Sequence, residues 1–179
     1  CFRGSVKNKI KRWAGCSEKF KLHQFHTIDA DDPFFDTELV KKSMELLICN
    51  NLDFVKPSNY SCNGAGSVGY SFRSRFIKSL DFSSHDSSDT EMIEPFIKSK
   101  KNANSEQIDE IQLLDYQIRL TLDYEEDYWM ISTLSRILGL NPSREKIINL
   151  FRNNPNLHLI NFFRNSDWSI RQKSQTKSN

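Results

Sequence analysis

Residues 22–33 read LHQFHTIDADDP, an apolar run that leads directly into an acidic tract. The run 22–28 has the length and the aromatic and β-branched content of a strand. A second acidic tract, 123–127, follows a second strand-like run, 118–122. Open α/β sheets bind ligands beyond their strand ends, so both tracts lie where such a sheet meets its ligand. Two such carboxylates favour Mg²⁺, which takes one or two of them while phosphates and water complete its octahedron.

The composition favours a small-molecule ligand. The chain has 179 residues, which is enough for one domain with a real core. Charged residues make up 27% and hydrophobic residues 37%, and the formal net charge is only +2. Such a balance creates no strong field toward nucleic acid or an anionic membrane, so we expect neither as a partner.

The sequence predicts a cytoplasmic protein. Its longest apolar stretches are far shorter than the roughly 20 residues that cross a bilayer, and the first residues lack a signal-peptide pattern. Cys1, Cys16, Cys49 and Cys62 are scattered without C-x-x-C spacing. We therefore expect reduced structural thiols, with neither a zinc site nor a disulfide framework.

The hydrophobic periodicity predicts alternating strands and helices. The predicted strands are 22–28, 52–55, a run ending at Phe72, and an antiparallel pair made by 111–114 and 118–122. The predicted helices are 5–20, one capped by Asp36 that ends at Cys49, 124–138 closed by Gly139, and one opened by Asn141-Pro142. Polar loops are expected at 57–66, 83–90 and 98–106, and a disordered tail at 171–179. This alternation predicts an α/β sheet covered by helices on both faces.

Four short motifs occur in a fixed order along the chain. They are CFRGS at 1–5, DADDPFFD at 29–36, RLTLDYEED at 119–127 and NPNLHLIN at 154–161. They resemble the V-F-R-G-S, G-D-x-P-L-I-D, R-L-T-V-D-T-P-E-D and N-P-E-L-x-x-I-N motifs of sugar-nucleotide cytidylyltransferases. The resemblance is strongest to the spore-coat polysaccharide biosynthesis protein F group, which is related to acylneuraminate and ketodeoxyoctonate cytidylyltransferases.

The resemblance implies a Rossmann-like nucleotidyltransferase sheet and a specific reaction. A sugar hydroxyl attacks the α-phosphate of CTP and releases pyrophosphate. In that reaction Asp31 and Asp123 are the implied catalytic residues and hold Mg²⁺, while Asp32 assists through water or substrate. Arg3 and Ser5 are the implied nucleotide contacts, since a guanidinium clamps phosphate oxygens and a hydroxyl bonds a base or sugar. A nonulosonate-type sugar acid, activated as its CMP derivative for surface polysaccharide, is the implied substrate, and a homodimer is the implied assembly.

The chain departs from that family in two places. The basic glycine-rich loop of the R-x-G-S-x-R-x-P-G-K type occurs nowhere in the 179 residues, and the chain opens on Cys1. We therefore expect residues 1–170 to be a partial domain that lacks the N-terminal strand and phosphate loop. In the segment 64–72, Gly66 and Val68 stand where the family has acidic residues on the sugar side. The alternative is a catalytically silent remnant or interaction module with the same fold.

Each motif also has a simpler interpretation. Asp29, Asp31 and Asp32 could form a solvated loop beside a helix cap, and Glu125, Glu126 and Asp127 are assigned to the first turn of a helix. The remaining groups are expected to have structural roles. They are a turn at Gly64, Gly66 and Gly69, core or surface histidines at 23, 26 and 85, packing aromatics including Trp13 and Trp129, and a solvated basic run at 98–101.

Overall fold

The structure is a computed structural model that describes residues 1–66, 68–80, 90, 93–110 and 112–176, with side chains as far as residue 171. Most of the predicted loop 83–90, including His85, lies outside the described residues, as does Ile111 at the start of a predicted strand. No helix in the described ranges has both the length and the apolar character that a bilayer span requires.

A four-stranded mixed sheet forms the centre of the fold. Its strands are β1 (Gln24–His26), β2 (Phe54–Lys56), β3 (Ser71–Arg73) and β4 (Ser105–Gln107), in the order β1-β3-β2-β4. β3 runs antiparallel to β1 and β2, whereas β4 runs parallel to β2. The predicted α/β class is therefore confirmed.

The described part of the chain contains seven α-helices, several of which begin or end at caps that the sequence encodes. They are α1 (Lys9–Lys19), α2 (Thr37–Cys49), α3 (Ser74–Ser79), α4 (Glu94–Lys98), α5 (Glu125–Leu138), α6 (Arg144–Asn153) and α7 (Arg164–Thr176). A π-helical turn spans Ser61–Ala65, and a 3₁₀ helix spans Pro155–Ile160. Asp36 caps α2 as predicted, because its Oδ1 accepts the N–H groups of Glu38 and Leu39. Gly139 ends α5 with φ 89°, a conformation that favours glycine.

An aromatic row covers one face of the sheet. Phe25, Phe72 and Phe54 lie side by side on β1, β3 and β2, since Phe72 is in register with both neighbours. Trp13 of α1 packs on Phe72 with ring centroids 5.7 Å apart, and Phe76 of α3 packs on Phe54 at 5.0 Å. This cluster confirms the packing role predicted for Trp13 and for these four phenylalanines, whereas Phe20, Phe162 and Phe163 are exposed.

The other face of the sheet packs against α2. Val55 and Ser71 alternate with Phe54 and Phe72 along their strands, so they point to the opposite side. Leu47 of α2 packs with Val55, and Ser43 shares a 2.8 Å hydrogen bond with Ser71. Helices therefore cover both faces, as expected.

A third core joins the C-terminal helices to the segment 118–122. Ile118 and Leu120 are fully buried against Met130 and Leu134 of α5 and Phe151 of α6. Neither 118–122 nor the described residues 112–114 form a strand, so the predicted antiparallel pair is absent from this part of the chain. The backbone of 118–122 bonds elsewhere, with the Leu120 N–H donating to the Gly64 carbonyl at 2.8 Å.

Three further expectations need correction. The segment 98–106, predicted to be a polar loop, contains the first two residues of β4. Backbone bonds between Asp53 and Asn104 and between Lys56 and Ile108 extend the pairing of β4 with β2 beyond the strands. The tail predicted to be disordered from 171 is helical as far as Thr176, while 177–179 lie outside the described residues. Trp129 is 51% exposed on α5 and does not fill a core.

Acid is expected to destabilise this fold through His26. Its Nδ1 shares a 2.8 Å hydrogen bond with the Ser71 hydroxyl, and burial lowers the pKa of His26 from 6.5 to about 4. Between these values the unfolded chain binds a proton that the folded chain does not, so stability falls as pH drops from about 6.5 to about 4. We expect a loss of about 2 kcal/mol from this group, because partial exposure moderates the shift.

Urea unfolding between pH 7 and pH 4 measures this effect. His26→Gln removes the titration, so the pH slope should flatten by the same amount, whereas the exposed His23→Gln should keep the wild-type slope. Equal slopes in wild type and His26→Gln would contradict the prediction.

Candidate active site

The two acidic tracts meet in the folded chain. The Leu122 N–H donates to the Asp31 carbonyl at 2.8 Å, which fixes the residue before Asp123 against the first tract. Within the first tract, the Asp32 N–H donates to the Asp29 carbonyl at 3.1 Å and closes a tight turn. The structure therefore brings the segments of Asp31 and Asp123 together, although no sheet strand leads into the second tract.

Gly66 lies directly against Asp32. It has φ 56°, and a methyl group built on it would lie 3.0 Å from the Asp32 Oδ1 and 3.2 Å from the Leu120 carbonyl oxygen. A side chain at Gly66 would be strained by the backbone and would crowd the carboxylate. This geometry confirms the turn expected at Gly64 and Gly66.

Burial and mutual repulsion raise the pKa values of Asp31 and Asp32. The pKa of Asp32 rises to about 6, mainly because of burial, and the nearby charges of Asp31 and Asp29 contribute to the same rise. Burial is also the first cause of the raised pKa of Asp31, to which Asp29 and Asp123 add. Lys9 of α1 partly offsets this charge through its 2.8 Å ion pair with Asp29.

A fully buried guanidinium holds Asp123. The Arg119 Nη2 donates to the Asp123 Oδ2 at 2.7 Å, and Arg119 also forms a bidentate pair with Asp127 through Nε and Nη2, both at 2.9 Å. Arg119 and Asp127 are both 0% exposed. The Asp127 Oδ2 also accepts the N–H groups of Asp123 and Tyr124 at 3.0 Å. Asp127 therefore acts as more than the predicted first-turn acid of a helix.

Two asparagines from the C-terminal segment complete this network. The Asn161 amide donates to the Arg119 carbonyl at 3.0 Å and to the Asp127 Oδ1 at 2.9 Å. The Asn165 Oδ1 accepts from the Arg119 Nη1 at 3.2 Å. Buried charges need such complete pairing, so the network fixes the orientation of Asp123.

Arg164 of α7 binds Glu126 in the first turn of α5, next to the Arg119–Asp127 pair. Its guanidinium donates to both oxygens of Glu126 at 2.8 and 2.9 Å, so Glu126 anchors α7 as well as the first turn of α5. The ring of Tyr124 lies between two guanidinium groups, 5.3 Å from Arg119 and 5.0 Å from Arg164. Tyr124 thus packs as a cation–π partner where the resembling family has Thr-Pro.

Arg144 holds two loops around the first tract. This guanidinium at the start of α6 donates to the carbonyls of Phe34, Ala65 and Gly66 at 3.2–3.3 Å. Its Nε lies 3.8 Å from the Asp36 Oδ2, and both side chains are nearly buried. Arg144 therefore ties the acidic tract and the glycine turn to the C-terminal helices.

Arg3 and Ser5 lie at the approach to α1. The Ser5 hydroxyl accepts the Asn8 N–H at 3.1 Å, and its carbonyl accepts from the Arg12 guanidinium at 2.8 Å. Arg3 is exposed. The ion pair of Lys9 with Asp29 connects this part of the chain to the first acidic tract.

The acidic residues present fit a magnesium ion whose remaining ligands come from a phosphate-bearing substrate and water. Within the described ranges, no group of three or more His, Cys, Asp or Glu side chains is placed to hold a metal ion. Mg²⁺ needs only one or two carboxylates when phosphates supply other ligands. The repulsion among Asp31, Asp32 and Asp123 is the kind that a divalent cation relieves. One oxygen of Asp123 is paired with Arg119, which leaves Oδ1 for a metal.

Sequence reasoning missed the residues that support these carboxylates. They are Lys9, Arg119, Asp127, Arg144 and Asn161. Arg119 carried a usable signal, because a lone arginine inside an apolar run needs acidic partners, and Asp123 and Asp127 follow at four-residue intervals. Arg144 carried none, since its partners, three backbone carbonyls and Asp36, all lie far away in the chain.

Comparison with known proteins supports the fold. No protein-family model matches the chain. Its sequence is 27% identical over 178 residues to the uncharacterized protein MJ1063 of Methanocaldococcus jannaschii, covering 97% of this chain and 69% of that protein. Its structure is similar to a cytidylyltransferase from Leptospira borgpetersenii serovar Hardjo-bovis, with a TM-score of 0.72. This chain shares the α/β fold of that enzyme. The similarity spans 88% of this chain and 67% of the Leptospira chain at 19% identity, and it confirms the nucleotidyltransferase-like α/β fold.

Proposed function

We propose that the chain is a magnesium-dependent cytidylyltransferase that uses CTP. The observation that carries this proposal is the bond between the Leu122 N–H and the Asp31 carbonyl, which joins the two acidic tracts within a cytidylyltransferase fold. Phosphates are negatively charged, so carboxylates bind them through a cation. Burial and, after it, mutual repulsion raise the pKa values of Asp31 and Asp32, and a bound cation would relieve that repulsion.

Asp31 and Asp123 are the proposed catalytic residues and metal ligands. Bound Mg²⁺ would neutralise charge on the triphosphate and stabilise the transition state at phosphorus. The acceptor hydroxyl oxygen forms a bond to the α-phosphorus while the bond to the bridging oxygen breaks, so pyrophosphate leaves with the electron pair and the hydroxyl proton passes to water. Arg119 and Asp127 act by positioning Asp123, and little covalent chemistry is required of the protein.

Substrate contacts are proposed at three further residues. Asp32, which is half-buried beside Asp31, would orient the substrate directly or through water. Arg3 and Ser5 would contact the nucleotide, since they lead into the helix whose Lys9 pairs with Asp29. The proposed acceptor is a nonulosonate-type sugar acid, converted to its CMP derivative for surface polysaccharide in the cytoplasm, by an enzyme that acts as a homodimer.

Calorimetric titration of CTP with Mg²⁺ into the purified chain tests this function. Wild type should bind, and the affinity should fall when Mg²⁺ is replaced by a chelator. Asp31→Asn and Asp123→Asn should each weaken the Mg²⁺-dependent binding by about tenfold or more, because each removes a charged metal ligand. The exposed Asp109→Asn, which has the same charge change, should bind like wild type.

The outcomes of this titration distinguish an active transferase from a catalytically silent remnant. Mg²⁺-dependent binding that both active-site variants lose supports the transferase, and release of pyrophosphate with a sugar acid would identify the acceptor. Absence of CTP binding in a folded wild type would instead favour the silent remnant or interaction module.

A further inference from the structure

A basic cleft lies at the other end of the sheet from the acidic tracts. β1 runs from Gln24 toward Asp29, and β3 runs antiparallel to it and ends at Arg73. The cleft opens beside that far end, between the residue before β1 and the first turns of α3, and has a volume of about 400 Å³. A ligand there would therefore not touch Asp31 or Asp123.

The cleft is lined by positive charge. Arg73, Arg75 and Lys78 line it together with His23, and none of the described lining residues is acidic. Asp53 lies nearby and balances part of this charge, since its Oδ1 lies 3.5 Å from the Arg75 Nη2 while its other oxygen accepts the Asn104 N–H at 3.1 Å. The Arg75 side chain is 65% exposed, so its guanidinium is accessible to an anion in the cleft.

Two buried polar groups at the cleft lack hydrogen-bond partners in the described structure. The Arg73 guanidinium donates from Nη1 to Gln24 and from Nη2 to the Leu47 carbonyl, while its buried Nε has no partner. Ser74 is only 4% exposed, and its hydroxyl also has no partner. Leaving buried donors unsatisfied is unfavourable, and in native proteins such groups commonly mark a bound water or ion.

We infer that this cleft binds a phosphate group, either as free phosphate or on a small phosphate monoester. A phosphate offers acceptor oxygens for the unpartnered donors of Arg73 and Ser74, and negative charge for the exposed cations of Arg75 and Lys78. The volume accommodates the phosphate together with a small organic group. The site is separate from the proposed catalytic centre and does not depend on the proposed function.

Phosphate titration followed by ¹H–¹⁵N NMR tests the inference. Inorganic phosphate should cause saturable shifts of the amides at 73–75 and 78, and sodium chloride at equal ionic strength should not. Glucose 6-phosphate in a parallel titration distinguishes the two sources, since tighter binding than inorganic phosphate would identify a monoester site. Asp31→Asn should leave both titrations unchanged, so failure of the transferase proposal would not affect this result.

Two variants make the test specific. The double variant Arg75→Ala/Lys78→Ala changes only exposed side chains and should weaken phosphate binding by about tenfold or more, whereas the exposed Lys101→Ala should not. Ser74→Ala should weaken binding while leaving the melting temperature of the free protein equal or higher, because it removes an unsatisfied hydroxyl. Shifts that do not saturate, that chloride reproduces, or that the double variant retains would overturn the inference.

Discussion

Replacing Asp127 by asparagine is expected to lower the free energy of unfolding by about 3–5 kcal/mol. Asp127 and Arg119 are both fully buried and joined by two 2.9 Å hydrogen bonds, so the variant leaves the buried guanidinium with only the more exposed Asp123 as a charged partner. The same carboxylate accepts the N–H groups of Asp123 and Tyr124, and an amide nitrogen at that position cannot accept them. Urea unfolding at pH 7 measures the loss.

A matched control lies two residues earlier in the same helix turn. Glu125 is exposed and carries the same charge, so Glu125→Gln should change stability by no more than about 0.5 kcal/mol. Comparing the two variants distinguishes the contribution of the buried Arg119–Asp127 pair to stability from the general effect of an acidic residue near a helix N-terminus. Similar losses in the two variants would show that Arg119 does not need Asp127.

Gly69→Ala is expected to destabilise the sheet by about 3 kcal/mol or more. A methyl group on Gly69 would lie 1.9 Å from the Thr27 carbonyl oxygen and 2.9 Å from its carbonyl carbon. These are backbone atoms, so relief requires β1 and β3 to separate. That movement would break the 2.8 Å bond from the Thr27 N–H to the Tyr70 carbonyl and disturb the aromatic row behind it.

Gly15→Ala is the control for a glycine whose neighbour can move. A methyl group there meets only the ring of Phe2, at 3.1 Å, and alanine favours the helix that contains the residue. We expect Gly15→Ala to be as stable as wild type or slightly more stable in thermal unfolding. A Gly69→Ala protein with the wild-type melting temperature would mean that β1 and β3 are not packed this closely.

Local signals allowed most of the helices to be predicted. Asp36 before an amphipathic run predicts the start of α2, and Gly139 after α5 predicts its end, because caps act on neighbouring backbone groups. The strands β1, β2 and β3 lie in apolar runs, so the period and composition of those runs identified them. β4 was not predicted because Ser105–Gln107 is polar, and only its pairing with β2 makes it a strand. The segment 118–122 was predicted to be a strand but is not one. Its apolar residues are buried against α5 and α6, and such burial requires the same residue types as a sheet does.

The sequence by itself determined the α/β class, the capped helices, and the two acidic tracts that make Asp31, Asp32 and Asp123 candidates for metal chemistry. These features depend on residues near one another in the chain, where capping, periodicity and charge act without tertiary contacts. Only the tertiary structure decided that the tracts meet through the Leu122–Asp31 bond, that Arg119 and Asp127 orient Asp123, and that Arg144 ties both loops together. The physical reason is that a buried charge is stable only with partners from distant segments, and no local pattern encodes which segments those are.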